Sequence, residues 1–313
     1  MMRHFLDVGD LTPDELVEVL DLADVPAGPA AGPAPAAAAN PFPLAGKGVA
    51  MVFEKSSNRT RNSMEMAVVQ LGGHPVCLSP DEVGIDTRES AEDVVRTLAC
   101  YHAVVAARVF DHGRLERMAA CDVVPVVNLL SDRAHPMQAL ADLATIRRCF
   151  GGPTHPDGRA LRVAYVGDPN NVWRSLAIGC AALGIETTLA APPGYDPRPD
   201  DLALVVAAGG EPVQTHDPVE AVAGAHVVYT DVWTSMGRED ERAERLAAFE
   251  PYRVDAELLS HAADDAVFMH CLPAHRGEEA TDDVLDGAAS VVWAQAENRM
   301  HVARGLLRFL AES

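Results

Sequence analysis

Val49-Ala-Met-Val-Phe53-Glu-Lys-Ser-Ser57-Asn-Arg59-Thr-Arg61 is the stretch that decides how this chain is built. Val49–Phe53 is a short apolar run of the kind that fits a buried strand, and helical spacing starts near Thr60 and runs to Leu71. A strand that feeds straight into a helix is half of a parallel βαβ unit. The same rhythm continues outward. Apolar runs at Pro75–Leu78, Ala103–Ala107 and Val123–Val127 alternate with helical patterns at Ser90–Cys100, Gly113–Ala120 and Met137–Cys149. Upstream, Thr12 and Pro13 open an amphipathic helix over Pro13–Leu22 as N-cap and first helical residue.

The turn formers Gly151-Gly-Pro-Thr-His-Pro-Asp-Gly158 interrupt the rhythm, which then resumes. Strands fit Arg162–Val166, Glu186–Ala190, Val213–Thr215, His226–Tyr229, Val267–His270 and Ser290–Trp293. Helices fit Val172–Leu183, Asp200–Ala208, Ala256–His261 and Ala296–Leu310. The expectation is therefore α/β, with two doubly wound domains, 1–150 and 151–295, each holding a central, mostly parallel sheet flanked by helices. The length of 313 residues agrees with about two domains. Ligands of such sheets bind beyond the carboxyl ends of the strands, and every chemically suggestive residue below follows a strand.

Bulk properties exclude several classes. Hydrophobic residues make up 48% and charged residues 23% of the chain, as in globular proteins with a core. No apolar run approaches the roughly 18 residues of a membrane span, and the N-terminus lacks an apolar signal core. Cys77, Cys100, Cys121, Cys149, Cys180 and Cys271 form no CxxC pair and read as thiols of a reducing cytoplasm. The formal net charge of −21 repels nucleic acid and anionic membrane alike. Lysine occurs only at Lys47 and Lys55, so arginine carries nearly all positive charge. The segment from Val25 to Asn40 is a Pro/Ala/Gly linker without core-forming side chains.

The opening stretch admits two readings on its residues alone. One is a helix capped by Ser or Asn with exposed arginines. The other is an anion site, because a helix N-terminus offers backbone N–H groups and a positive dipole end, Ser57, Asn58 and Thr60 add short donors, and Arg59 is a planar fork for phosphate. No GxxxxGK[ST] loop is present. Val166-Gly-Asp-Pro-Asn-Asn171 lacks the second and third glycines of a dinucleotide site. His270, Cys271 and His275 invite a zinc reading, but neighbours on a strand end point to opposite faces, so no metal is expected.

Five segments together carry a resemblance: Phe53-Glu-Lys-Ser-Ser57-Asn-Arg59-Thr-Arg61, His135-Pro-Met-Gln138 followed by Ala-Leu-Ala-Asp142, Asp231-Val-Trp-Thr-Ser235-Met236-Gly237, His270-Cys271-Leu272-Pro273-Ala-His-Arg276-Gly, and Glu297-Asn-Arg299. In order and spacing they resemble the aspartate/ornithine carbamoyltransferases, most closely the ornithine branch. The resemblance implies a carbamoyl phosphate domain and an amino-acid domain with the site between them. It also implies a last helix, 296–313, that returns to the first domain, a homotrimer or an assembly of trimers, and no cofactor.

For the reaction, the resemblance implies that Ser57, Asn58, Arg59 and Thr60 hold phosphate. Arg108 bridges phosphate and carbonyl oxygen, His135 donates to that oxygen, and Gln138 takes the carbamoyl NH2. Leu272 and Arg299 join the same set. Asn171 holds the α-carboxylate of ornithine, Asp231 its α-ammonium, with Ser235 and Met236 completing the pocket. Cys271 lies against the attacking amine. Arg108, His135, Asp231 and Cys271 are the expected catalytic residues. Without the resemblance, Arg108 reads equally as a surface ion pair and Cys271 as a buried apolar residue.

Four positions depart from the pattern. Asn58 replaces Thr, Met137 stands where Thr or Cys is commoner, and the loop Asp81–Ser90 has Gly84 and Asp86 where Gln and Gly are usual. An acid at 86 is expected to weaken a nearby dianion site. An aspartate-using enzyme is disfavoured because no lysine lies near residue 84. A silent assembly subunit is disfavoured because Arg59, Arg108, His135, Asp231, Cys271 and Arg299 are all retained.

Overall fold

The computed structural model describes residues 2–27, 40–234 and 239–312. The chain divides into two compact units, Met1–Ala141 with Glu297–Ser313, and Asp142–Ala296. Each is built on its own parallel sheet.

In the first unit, β1 (Gly48–Phe53), β2 (His74–Leu78), β3 (His102–Arg108) and β4 (Val126–Leu130) lie in the order β2-β1-β3-β4, every pair parallel. β1 is buried along nearly its whole length, as an apolar strand covered on both faces must be. Ala50, Val52, Val105 and Ala107 form one buried cluster with Val94, Val95, Leu115 and Met118 of the helices Ala91–Ala99 and His112–Ala120. The helix Pro13–Asp24 has Thr12 as its N-cap, as expected, and Thr12 and Glu15 together form a capping box.

In the second unit, β5 (Arg162–Val166), β6 (Glu186–Ala190), β7 (Val213–Thr215), β8 (Val227–Thr230) and β9 (Val267–His270) lie in the order β7-β6-β5-β8-β9, again all parallel. The α/β, doubly wound expectation holds in both units. Each sheet grows one way from its first strand and then the other, so a switch point falls between β1 and β3 and between β5 and β8. Such points open a crevice at the strand ends.

Three local expectations are corrected. Ser290–Trp293 is not a strand: Ser290 makes one bridge to Phe268, and a helix runs from Val292 to Glu312. A four-residue apolar run does not distinguish strand from buried helix. The fourth strand starts at Val126 rather than Val123, after Pro125, which has no N–H to give a ladder. The short helices Pro80–Val83, Pro218–Val222, Arg242–Phe249 and Asp282–Leu285 were not anticipated. Residues 28–39 of the Val25–Asn40 linker lie outside the described residues.

Candidate active site

The first unit gathers its polar residues at the switch point. Ser57 is the N-cap of the helix Asn58–Gln70, and its Oγ accepts Thr60 N–H at 3.4 Å. Arg108 ends β3 where the register with β4 shifts between Ala107 and Arg108, and irregularities of this kind re-aim a side chain at a site. Arg108 Nη1 donates to Thr60 Oγ1 at 3.4 Å, and Arg299 Nη2 donates to the same oxygen at 2.9 Å. Arg299 Nη1 donates to Gln138 Oε1 and faces His135 Nε2 at 3.5 Å. Thr60, Arg108, His135, Gln138 and Arg299 are all buried, although 239 residues separate Thr60 from Arg299.

Burial, reinforced by the charges of Arg299, Arg108 and Arg59, holds His135 well below the usual imidazole range. The ring is therefore neutral near pH 7. A guanidinium only donates, so Nε2 is the acceptor and the ring proton sits on Nδ1. The loop that delivers His135 is tied to the end of β4: Ser131 N–H donates to Ala134 O at 2.9 Å, and Asn128 Nδ2 donates to Ser131 Oγ at 3.2 Å.

Two residues of the opening stretch face outward. Asn58 is exposed, and its Oδ1 accepts from Asn62 Nδ2 at 3.0 Å. Arg61 pairs with Glu65 one turn on, at 2.8 Å. Both line a cleft of about 790 Å³ that also reaches Ser57, Cys77 and Glu82. Asp86 does not stand as an isolated charge. Its carboxylate takes Arg114 at 3.1 Å and Arg117 at 3.0 Å, and Arg117 keeps it below the usual carboxylate range. Arg114 also pairs with Glu54.

The second unit builds a separate constellation at its own switch point. Asn170, the N-cap of the helix Asn171–Ala182, accepts Val172 N–H at 2.8 Å through Oδ1 and donates through Nδ2 to Asp231 Oδ2 at 2.8 Å. Cys271 Sγ donates to Asp231 Oδ1 at 2.9 Å. Both oxygens of the buried Asp231 are thereby oriented, with lone pairs left for a further donor. Asn171 is the first residue of the helix and is half-buried. Leu272 has φ 59°, a left-handed conformation that costs a non-glycine residue about 1–2 kcal/mol and that clusters at functional sites.

The turn at Cys271–Leu272 is held by His270, whose Nδ1 accepts Leu272 N–H at 2.8 Å and whose Nε2 donates to the buried Glu279 at 3.1 Å. Asp231, His270 and Cys271 each place a ligand atom within 4.8 Å of the others, as do His275, Glu278 and Glu279. The opposite-faces argument does not govern the first trio, because β9 ends at His270 and Cys271 lies beyond it. Beside this constellation, the buried Arg245 donates to Trp233 O at 3.0 Å and pairs with Asp168 at 3.1 Å. Ser235 and Met236 lie outside the described residues.

Asn170 escaped the sequence reading, which began the helix at Val172 and singled out Asn171. An Asn before an apolar helical run is the available signal for a cap. The role of His270 as anchor of the turn had no signal of its own.

Two family descriptions match the chain in succession. Residues 3–148 match the carbamoyl-P binding domain of aspartate/ornithine carbamoyltransferase, and residues 159–310 match its Asp/Orn binding domain. The ornithine carbamoyltransferase of Carboxydothermus hydrogenoformans is 46% identical over 98% of this chain and 97% of its own length. That of Acidothermus cellulolyticus is 46% identical over 100% and 98%. The crystal structure of ornithine carbamoyltransferase from Thermus thermophilus superposes with a TM-score of 0.85 at 42% identity, covering 99% of both chains.

Proposed function

The chain belongs to the aspartate/ornithine carbamoyltransferase family, and on that premise we propose that it transfers the carbamoyl group of carbamoyl phosphate to the side-chain amine of L-ornithine, giving L-citrulline and phosphate. The observation that carries the reading is the meeting of Arg108 and Arg299 on Thr60 Oγ1 at a helix N-terminus. Two buried guanidiniums that converge on a helix N-terminus favour an anion in their midst. The net charge of −21 makes long-range attraction of a dianion unfavourable, so local donors must capture it.

In this reading the phosphate binds at Ser57, Asn58, Arg59 and Thr60. Arg108 and the neutral His135, through Nδ1–H, donate to the carbonyl oxygen as it becomes an oxyanion, and Arg108 also neutralises the leaving phosphate. Gln138, whose Oε1 accepts from Arg299, takes the carbamoyl NH2. Leu272 completes the carbamoyl phosphate set. Asp231 takes the α-ammonium of ornithine, Asn171 its α-carboxylate, and Ser235 and Met236 close the pocket. Cys271 stands by the attacking amine. The amine must be neutral to attack. As the C–N bond forms, the amine's proton passes to an oxygen of the phosphate, and the C–O bond to that phosphate then breaks, releasing hydrogen phosphate. The acceleration is positioning plus electrostatic stabilisation.

The six cysteines, none in a disulfide among the described residues, support a cytoplasmic location. No helix among the described residues is long and apolar enough to cross a membrane. A homotrimer, alone or stacked, is the assembly we infer. The exposed Met66 and Val69 on the helix Asn58–Gln70 support a self-association face.

A panel of amines tests the reaction. With carbamoyl phosphate, ornithine is expected to give ureido product at a kcat/KM at least about 100-fold above that for putrescine or aspartate. Equal or greater turnover of either alternative overturns the acceptor assignment.

A further inference from the structure

Gln295 lies in the first turn of the helix Val292–Glu312 and is buried. Its carboxamide reaches three groups of the second unit. Nε2 donates to Asp142 Oδ1 at 2.7 Å and to Tyr229 Oη at 3.1 Å, and Oε1 accepts His270 N–H at 2.9 Å. Tyr229 Oη in turn donates to Asp142 Oδ2 at 3.2 Å. Asp142 thus takes a donor on each oxygen. That fixes the amide: the NH2 must face the carboxylate, which leaves only the oxygen for His270. A flipped amide would set N–H against N–H.

His270 is the last residue of β9, and Cys271 and Leu272 follow it directly. A turn that keeps a leucine in the left-handed region needs anchors on both sides. Leu272 N–H is anchored on the His270 imidazole, and His270 N–H is anchored on Gln295. We propose that Gln295 is a positioning residue for the reaction: by holding His270 N–H, with its amide oriented by Asp142 and Tyr229, it fixes where Cys271 Sγ is presented to the attacking amine. The proposal rests on the role given above to Cys271.

Steady-state kinetics on the full chain test it with two substitutions. Gln295→Met keeps the volume and removes both halves of the amide. The expected result is a kcat/KM for ornithine lower by about 10- to 100-fold, as for small misplacements of reacting groups, with the KM for carbamoyl phosphate changed by less than about threefold. Gln295→Glu keeps the acceptor for His270 but sets a second carboxylate against Asp142. Protonation restores the missing donor, so its activity relative to the unchanged chain rises as pH is lowered from about 8 to about 6. A purely structural role predicts neither the split between substrates nor this pH-dependent rescue. Wild-type kcat/KM for ornithine in Gln295→Met overturns the proposal, as does a flat relative pH profile in Gln295→Glu. Turnover of ornithine by the unchanged chain, measured alongside, separates the two failures: without it the reading of the reaction falls first.

Discussion

Desolvation and three guanidiniums act on His135 in the same direction, and the result is a buried ring that stays neutral. The sign of its linkage follows. The unfolded imidazole takes a proton near 6.5 and the folded one does not. His135 therefore leaves stability intact above about pH 6.5 and costs up to about 1.4 kcal/mol per pH unit below it. Urea unfolding between about pH 7.5 and 5.5 is expected to show that loss in the unchanged chain and less of it in His135→Asn. A folded-state titration of this ring by NMR with a midpoint at or above 6.5 overturns the neutral assignment. Single residues were legible in the sequence where chemistry and strand ends coincide. Arg108 ends a strand and His135, Asp231 and Cys271 each follow one, and the structure brings Arg108 together with Thr60, and Cys271 with Asp231. Asn170 and Gln295 were not legible, because their work is done on partners that only the fold brings near: Gln295 lies 153 residues from Asp142.

Helix ends and strand ends carry most of this site, and how closely the elements approach is a matter of single atoms. Along the C-terminal helix Val292–Glu312, a Cβ at Gly305 would stand 2.5 Å from Val19 O and 2.7 Å from Ala23 N of the helix Pro13–Asp24. Arg304 donates to Ala23 O at 2.9 Å in the same contact. Backbone cannot step aside as a flexible side chain does, so Gly305→Ala is expected to destabilise by about 1–3 kcal/mol, outweighing the roughly 1 kcal/mol that alanine gains over glycine in a helix. Equilibrium denaturation checks this, and a variant as stable as the parent refutes the close approach. The same contrast explains which elements the sequence revealed. Strands β1, β5, β6, β7 and β9 have apolar or β-branched runs bounded by turn formers, and they were found nearly to the residue. Val291–Trp293 had the composition of a strand and the position of a helix start, and only packing decided between them. The loop at Asp86 had no periodic signal at all. The structure shows why glycine suits that position, since φ is 57°, and why aspartate is tolerated there, since Arg114 and Arg117 hold it.

Charge and assembly oppose one another at the scale of the whole molecule. Each chain carries −21, so in the proposed trimer like-charge repulsion is multiplied, while the exposed apolar surface proposed to meet there, Met66 and Val69 included, is indifferent to salt. The Debye length falls from about 30 Å at 0.01 M to about 3 Å at 1 M. At the low end, repulsion reaches across a subunit. At the high end it is confined to touching atoms. Surface ion pairs such as Arg61–Glu65 weaken with salt as well, but each is worth only about 0–1 kcal/mol, and they lie within one chain. Association should therefore tighten as KCl is raised. Sedimentation from about 0.01 to about 0.5 M KCl is expected to give the mass of three chains, or a multiple of it, at high salt and a growing share of smaller species at low salt. Sucrose at matched osmolarity, which does not screen charge, should fail to reproduce the shift. A single-chain mass at every salt concentration overturns the assembly. Association that weakens as salt rises overturns the electrostatic account and makes the contacts between copies ionic rather than apolar.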